Sequence, residues 1–162
     1  MGRRPLIRLR VLAFGLAALI SAANFVLVQW MLGSGLTGQR LISGLADFRP
    51  AFNRGVSFSL LTQDRITGCH RLIALLMVIV TGVAVMAWRA ATPLASLGFG
   101  LILGGALGNL CDRLLYCAVF DFLSLHLGNL PLFVCNFADI AISAGVLLLI
   151  LDSLLPKPAA AA

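Results

Sequence analysis

The sequence predicts an all-α membrane protein: a four-transmembrane-helix bundle with a small extracytoplasmic β-containing cradle. Three observations lead there. Hydrophobic residues fill 60% of the 162 positions and charged residues only 11%, with a mean hydropathy of +1.03. Soluble domains are charged at about a quarter of their positions, so this chain lacks the polar surface to cover itself in water. Runs long enough to cross a hydrocarbon core of roughly 30 Å then occur four times. Last, Val56 to Leu60 alternates apolar and polar residues after the turn signal Asn53-Arg54-Gly55, the pattern of a short strand.

The first span is expected at about 11–33. Four arginines, Arg3, Arg4, Arg8 and Arg10, precede it and suit a cytoplasmic N-terminus. Ser21-Ala22-Ala23 could also end a cleaved signal peptide, but the apolar character runs on to Leu32 and favours an uncut helix. The second span is expected at 71–88 and the third at 93–111. Between them lies only a tight turn, in which Pro93 can open a helix because its missing N–H needs no partner there. The fourth is expected at 133–155. Only twelve residues separate Asp139 from Asp152, about 18 Å of helix, so spanning requires a start near Phe133. That puts Asp139 inside the membrane protein body, where an ionisable group costs at least ~2.5 kcal/mol and needs a reason.

One domain, 1–162, accounts for the whole chain. With the N-terminus inside, Lys157 is inside too, and segments 34–71 and 112–132 share the outer face. Gly100, Gly104 and Gly108 fall four apart on one face of the third span and predict close packing against another helix.

Composition excludes several functions. The net charge of +6 is scattered and meets no aromatic platform, so no nucleic-acid partner is expected. Cys69, Cys111, Cys117 and Cys135 form no CxxC pair, and His70 and His126 lie far apart, so neither a metal nor another cofactor is expected. The cysteines read as small apolar space-fillers. A disulfide outside the cytoplasm stays open, since spacing does not fix one.

What remains is a polar cluster at one depth. Asn109, Asp112 and Arg113 close the third span, Asp121 follows in the outer segment, and Asn136 and Asp139 open the fourth. A plain reading pairs Asp112 with Arg113 and lets Asp139 favour its own helix N-terminus. That leaves the number of amides and carboxylates at one level unexplained. Two carboxylates in a partly dehydrated site tend to share one proton. Such a pair can take a proton from water with one oxygen and give one to a carbonyl or leaving amine with another. That is peptide hydrolysis without metal or covalent intermediate. A proton-coupled transporter using Asp121 and Asp139 as a relay is the rival class, but no polar residue continues through the inner halves of spans two and four.

Four motifs, NRGVSFSLL (53–61), GGALGNLCDRL (104–114), VFDF (119–122) and FVCNFADIAIS (133–143), stand in order. Together they resemble the bacterial lipoprotein signal peptidases, signal peptidase II. The resemblance implies an inner-membrane aspartic endopeptidase, both termini cytoplasmic and the site periplasmic. It would cut the signal peptide from a diacylglyceryl-modified prolipoprotein just before the lipidated cysteine, with membrane lipid as surroundings. Asp121 and Asp139 would be the catalytic pair. Asn53, Asn109, Arg113 and Asn136 would hold substrate and orient the carboxylates, with Asp112 fixing Arg113. The cyclic peptide globomycin would be expected to block the site. One departure stands: the family's DQ-x-x-K-like pair in the first helix is replaced by LISAANFVLVQ, with Ser21 and Asn24 the polar residues before Gln29. That departure would suit an alternative, a degenerate paralogue that binds lipoprotein or lipid without cleavage.

Overall fold

The computed structural model describes residues 3–35, 39–55 and 65–156. Four helices run through it: α1 (Arg3–Ser34), α2 (Arg65–Arg89), α3 (Pro93–Tyr116) and α4 (Phe137–Leu154). Each is long and apolar enough to cross a membrane. The third is central, packed by the other three, and it is the most buried, while α2 is the least. Leu75, Val78, Val85 and Trp88 on α2 and Leu147, Ile150 and Leu151 on α4 are exposed, as lipid-facing residues should be.

Small residues make the close packing possible. A methyl group on Gly100 would lie 2.8 Å from the Ala13 carbonyl oxygen, and one on Gly104 2.8 Å from that of Ala17. The glycine stripe expected to pack a neighbour therefore packs α1. The adjacent face of α3 packs α4 by the same device, with Gly98 against the Gly145 backbone and Gly105 against the Ala138 carbonyl. In lipid, where burial of apolar surface gives no drive between helices, such contact is the main source of association.

Polar contacts fix both ends of the bundle. At one end the Arg10 guanidinium lies 4.0 Å over the Trp88 ring, and its Nε donates to the Trp88 carbonyl at 3.1 Å. Nearby, Thr92 caps α3 by accepting from Ala95 N and donates to Asp152 of α4 at 2.6 Å. At the opposite end Gln29 donates to the Tyr116 hydroxyl at 2.7 Å.

That opposite end carries a four-stranded antiparallel sheet: β1 (Gln39–Ile42), β2 (Ala46–Asn53), β3 (Val119–Leu127) and β4 (Leu130–Cys135), in sequential order. The two outer segments thus meet as expected, but as a larger sheet drawn from other residues. Of the strand expected at 55–60, residues 56–60 lie outside the described residues. Gly44 and Gly128, both at positive φ, turn the two hairpins. Phe48, Phe120 and Phe122 plant the sheet on Val28 of α1. Pro50 cannot donate to a ladder, and the register of β2 against β3 shifts there, between Phe48 and Ala51.

The sheet also corrects the fourth span. Residues 130–135 are strand, Asn136 is the N-cap, and the helix begins at Phe137. Its eighteen residues reach about 27 Å, so no start at Phe133 is needed.

The cysteines require a second correction. Cys69 and Cys117 are bonded to each other across 48 residues, with Cα atoms 5.5 Å apart, and are not mere space-fillers. Cys111 and Cys135 are free thiols.

Candidate active site

The two carboxylates reach one place by different routes. Asp121 is the third residue of β3, and Asp139 is the third residue of α4. Pairing of Leu123 with Cys135 aligns β3 and β4 so that Asn136, the next residue, falls beside the level of Asp121. The chain then turns into α4 and delivers Asp139 one turn on.

Asn136 joins the pair. Its Nδ2 donates to Asp121 Oδ1 at 2.9 Å and to Asn109 Oδ1 at 3.1 Å. Its Oδ1 accepts from the Asp139 backbone N at 2.9 Å, and its own backbone N donates to Asp139 Oδ2 at 3.2 Å. This is a reciprocal capping box, with Asn as cap and Asp in the third helical position. Wholly buried, Asn136 spends every polar atom of its side chain on the site.

Two further amides complete the frame. Asn109 Nδ2 donates to Asp139 Oδ1 at 2.9 Å, and Asn53 Nδ2 donates to Asp121 Oδ2 at 2.9 Å. Each of the four carboxyl oxygens therefore accepts one N–H, and each keeps a second lone pair for water, substrate or a shared proton. Asn53 is itself held, since its Oδ1 accepts from Gly55 N at 2.9 Å.

Asp121 is buried, and that burial pushes its carboxyl above the ordinary range. The Asn53 bond opposes the shift, the charge of Asp139 adds to it, and the Asn136 bond and Arg113 guanidinium oppose it. Burial is the largest cause, so Asp121 is biased toward holding a proton.

Arg113 stands behind β2, with Nη1 4.0 Å from where a Gly55 side chain would begin. It does not pair with Asp112 as expected. Asp112 is buried, and its Oδ2 accepts from Phe120 N at 3.2 Å, which anchors the start of β3 to the end of α3. A helix-end carboxylate holding a strand amide performs the positioning, rather than an ion pair. His126 lies elsewhere: Nδ1 is 2.9 Å from the Gly128 carbonyl and Nε2 3.4 Å from Asp47.

The residues that sequence reasoning singled out, Asn53, Asn109, Arg113, Asp121, Asn136 and Asp139, converge at one end of the bundle. It missed the role of Asp112 and the Cys69–Cys117 bond. The bond had a faint signal, as both cysteines flank expected spans on the same outer side.

Comparisons with known proteins bear on the family and the fold. The model of a family described as Signal peptidase (SPase) II matches residues 13–155. A lipoprotein signal peptidase of Methylorubrum extorquens is 48% identical over 119 residues, covering 74% of this chain and 70% of that protein. Another, of Rhodopseudomonas palustris, is 39% identical over 163 residues, covering 96% and 98%. Among solved structures, a bacterial membrane enzyme determined by the in meso method superposes with a TM-score of 0.73. It is 19% identical and covers 88% of this chain and 95% of its own, a likeness of fold.

Proposed function

The chain belongs to the signal peptidase II family, aspartic peptidases that remove signal peptides from prolipoproteins, and on that premise we propose that Asp121 and Asp139 are its catalytic pair. The whole chain, 1–162, acts as one peptidase domain. The observation that carries the assignment is the Asn136 side chain, which touches Asp121 through Nδ2 and the Asp139 amide through Oδ1. One residue thus holds both carboxylates, Asp121 through its side chain and Asp139 through its backbone N, as suits groups that work together.

In the reaction, one proton is shared by two carboxyls. Asp121, pushed toward its protonated form by burial, gives that proton to the scissile carbonyl oxygen. Asp139 accepts a proton from the attacking water, so oxygen adds to the carbonyl carbon. Asp139 then gives its proton to the amine as the adduct collapses and the C–N bond breaks, and the hydroxyl formed from the carbonyl oxygen returns its proton to Asp121. Asn53, Asn109 and Asn136 keep the carboxyl planes in place throughout, and Asn53, Asn109 and Arg113 hold the substrate backbone. Asn136, the fourth residue expected to bind substrate, is wholly buried with both side-chain N–H groups committed to Asp121 and Asn109 and acts only through them.

The substrate is a prolipoprotein whose diacylglyceryl cysteine follows the scissile bond. Its acyl chains stay in the bilayer, which presents the bond at the end of the helices where the carboxylates sit. We assign that end to the periplasmic side of the inner membrane, with both termini cytoplasmic. The arginines before the first span support this, as does a disulfide at the same end as the site, since such bonds persist in oxidising compartments. A globomycin-type cyclic peptide binds at the same carboxylates and competes with substrate.

The first helix lacks the family's charged pair, and the structure has Asn24 wholly buried there against Gly108, making no hydrogen bond among the described residues. This favours a second reading, binding without cleavage. One gel-shift assay on a diacylglyceryl-modified precursor separates the two. The wild type should shorten the precursor, globomycin should stop it, and Asp121→Asn or Asp139→Asn should abolish cleavage while precursor still binds. An unshortened precursor with wild-type protein would leave the binder as the surviving reading.

A further inference from the structure

The bond between Cys69 and Cys117 sits at the catalytic end of the bundle, and the contacts around it lead to Asp121. Cys69 belongs to the first turns of α2, and Cys117 is the C-cap of α3. Cys117 N donates to the Arg113 carbonyl at 2.9 Å, and Cys69 Sγ lies 4.0 Å from the same oxygen. Both cysteines thus gather on the backbone of the residue whose guanidinium reaches Gly55.

From Gly55 the chain of contacts continues. A side chain added there would lie 2.9 Å from Leu72 Cδ1, one turn along α2 from Cys69, and 4.0 Å from Arg113 Nη1. Gly55 N donates to Asn53 Oδ1, and Asn53 Nδ2 donates to Asp121 Oδ2. The end of β2 is therefore wedged between α2 and α3, and the wedge aims the amide that holds Asp121.

Two features make a covalent tie useful here. The second helix is the least buried of the four and packs chiefly on α3, so lipid alone would hold it loosely. Cys117 also adopts φ 51, the only positive φ among the described non-glycine residues. Glycine is the usual residue for such a helix end, and a cysteine there accepts backbone strain while making the bond.

We infer that Cys69 and Cys117 are a positioning pair for the peptidase, locking α2 to α3 so that Asn53 stays on Asp121, and that activity depends on their oxidation outside the cytoplasm. The bond forms by exchange with the disulfide of a thiol–disulfide oxidoreductase. Two thiols here lose two protons and two electrons, and the donor disulfide becomes a dithiol. The inference rests on the peptidase reading above.

The test uses the full-length protein in detergent or vesicles. Thiol alkylation with a mass tag after denaturation in SDS should label two of four cysteines before reduction and all four after it, with Cys69 and Cys117 mapping to the newly labelled pair. Reduction should lower kcat about tenfold, the scale of a slight misplacement of a reacting group, with a smaller change in KM. It should also move the alkaline limb of the pH–rate profile upward, as loss of the Asn53 bond would. Cys69→Ala/Cys117→Ala should reproduce that profile and no longer respond to reductant. Four tags before reduction, another pairing, or equal kcat and pH profile in both redox states would overturn the inference. Failure of the peptidase reading looks different: no cleavage in either redox state.

Discussion

Asn136 carries more of the site than either carboxylate. It caps α4, donates to Asp121 and fixes Asn109. Asn136→Ala should cost about 1 kcal/mol of stability as a lost cap. It should lower kcat on the order of a hundredfold, because Asp121 loses a donor and the Asn109 amide that holds Asp139 loses its anchor; kcat near wild type on a lipidated precursor would refute that. Asn53 offers a test of sign. Its hydrogen bond opposes the upward shift of the Asp121 carboxyl, so Asn53→Ala removes a lowering influence and the carboxyl titrates higher still. With Asp121 as the proposed acid, the rate falls as pH rises through its titration, and the alkaline limb in Asn53→Ala should lie at higher pH than in wild type. A limb that moves down would mean that Asp121 is not the proton donor. Both asparagines were legible in the sequence as amides at one depth. Which oxygen each would hold was not, since that depends on strand register and on a helix cap.

Among the elements, α3 decides the architecture. Its glycines serve two neighbours, α1 through Gly100 and Gly104 and α4 through Gly98 and Gly105. A methyl group at Gly105 would press on the Ala138 carbonyl, one residue before Asp139. Gly105→Ala should therefore destabilise the protein by about 1–3 kcal/mol, typical of overpacking. It should also reduce cleavage, because the displaced backbone carries Asp139, the proposed base. The unfolding midpoint in a denaturing-detergent titration checks the first claim and kcat the second. The four spans could be read from hydropathy because lipid demands a long apolar run of any helix that crosses it. The sheet could not. Leu130 to Val134 looks like the beginning of a membrane helix because its apolar residues lie exposed on an edge strand, and composition alone does not tell an exposed apolar strand from a span. The cap at Asn136 sets the true boundary between β4 and α4.

At the scale of the whole molecule, sequence motifs named the polar residues and topology brought them together. Asn53, Asn109, Asp121 and Asp139 come from a strand, a helix, another strand and another helix, and they meet because the α1–α2 and α3–α4 connections lie at the same end. Hydropathy gave that turning order. The plain ion pair between Asp112 and Arg113 was the wrong local inference, because neighbours in sequence on a helix point apart and Phe120 N offered Asp112 a nearer partner.

The shortness of α4 has a consequence for where the enzyme can work. Its eighteen residues reach only about 27 Å, while Asp139 rides its first turn and Asp152 closes its last. The helix therefore acts as a ruler pinned by an acid at either tip. A thicker bilayer must pinch around it or draw the acids toward oil, each at a fraction of a kcal/mol per Å. Reconstitution in phosphatidylcholines of increasing acyl length should give a turnover maximum at shorter chains and a decline in longer ones. A flat profile would mean that the ruler bends.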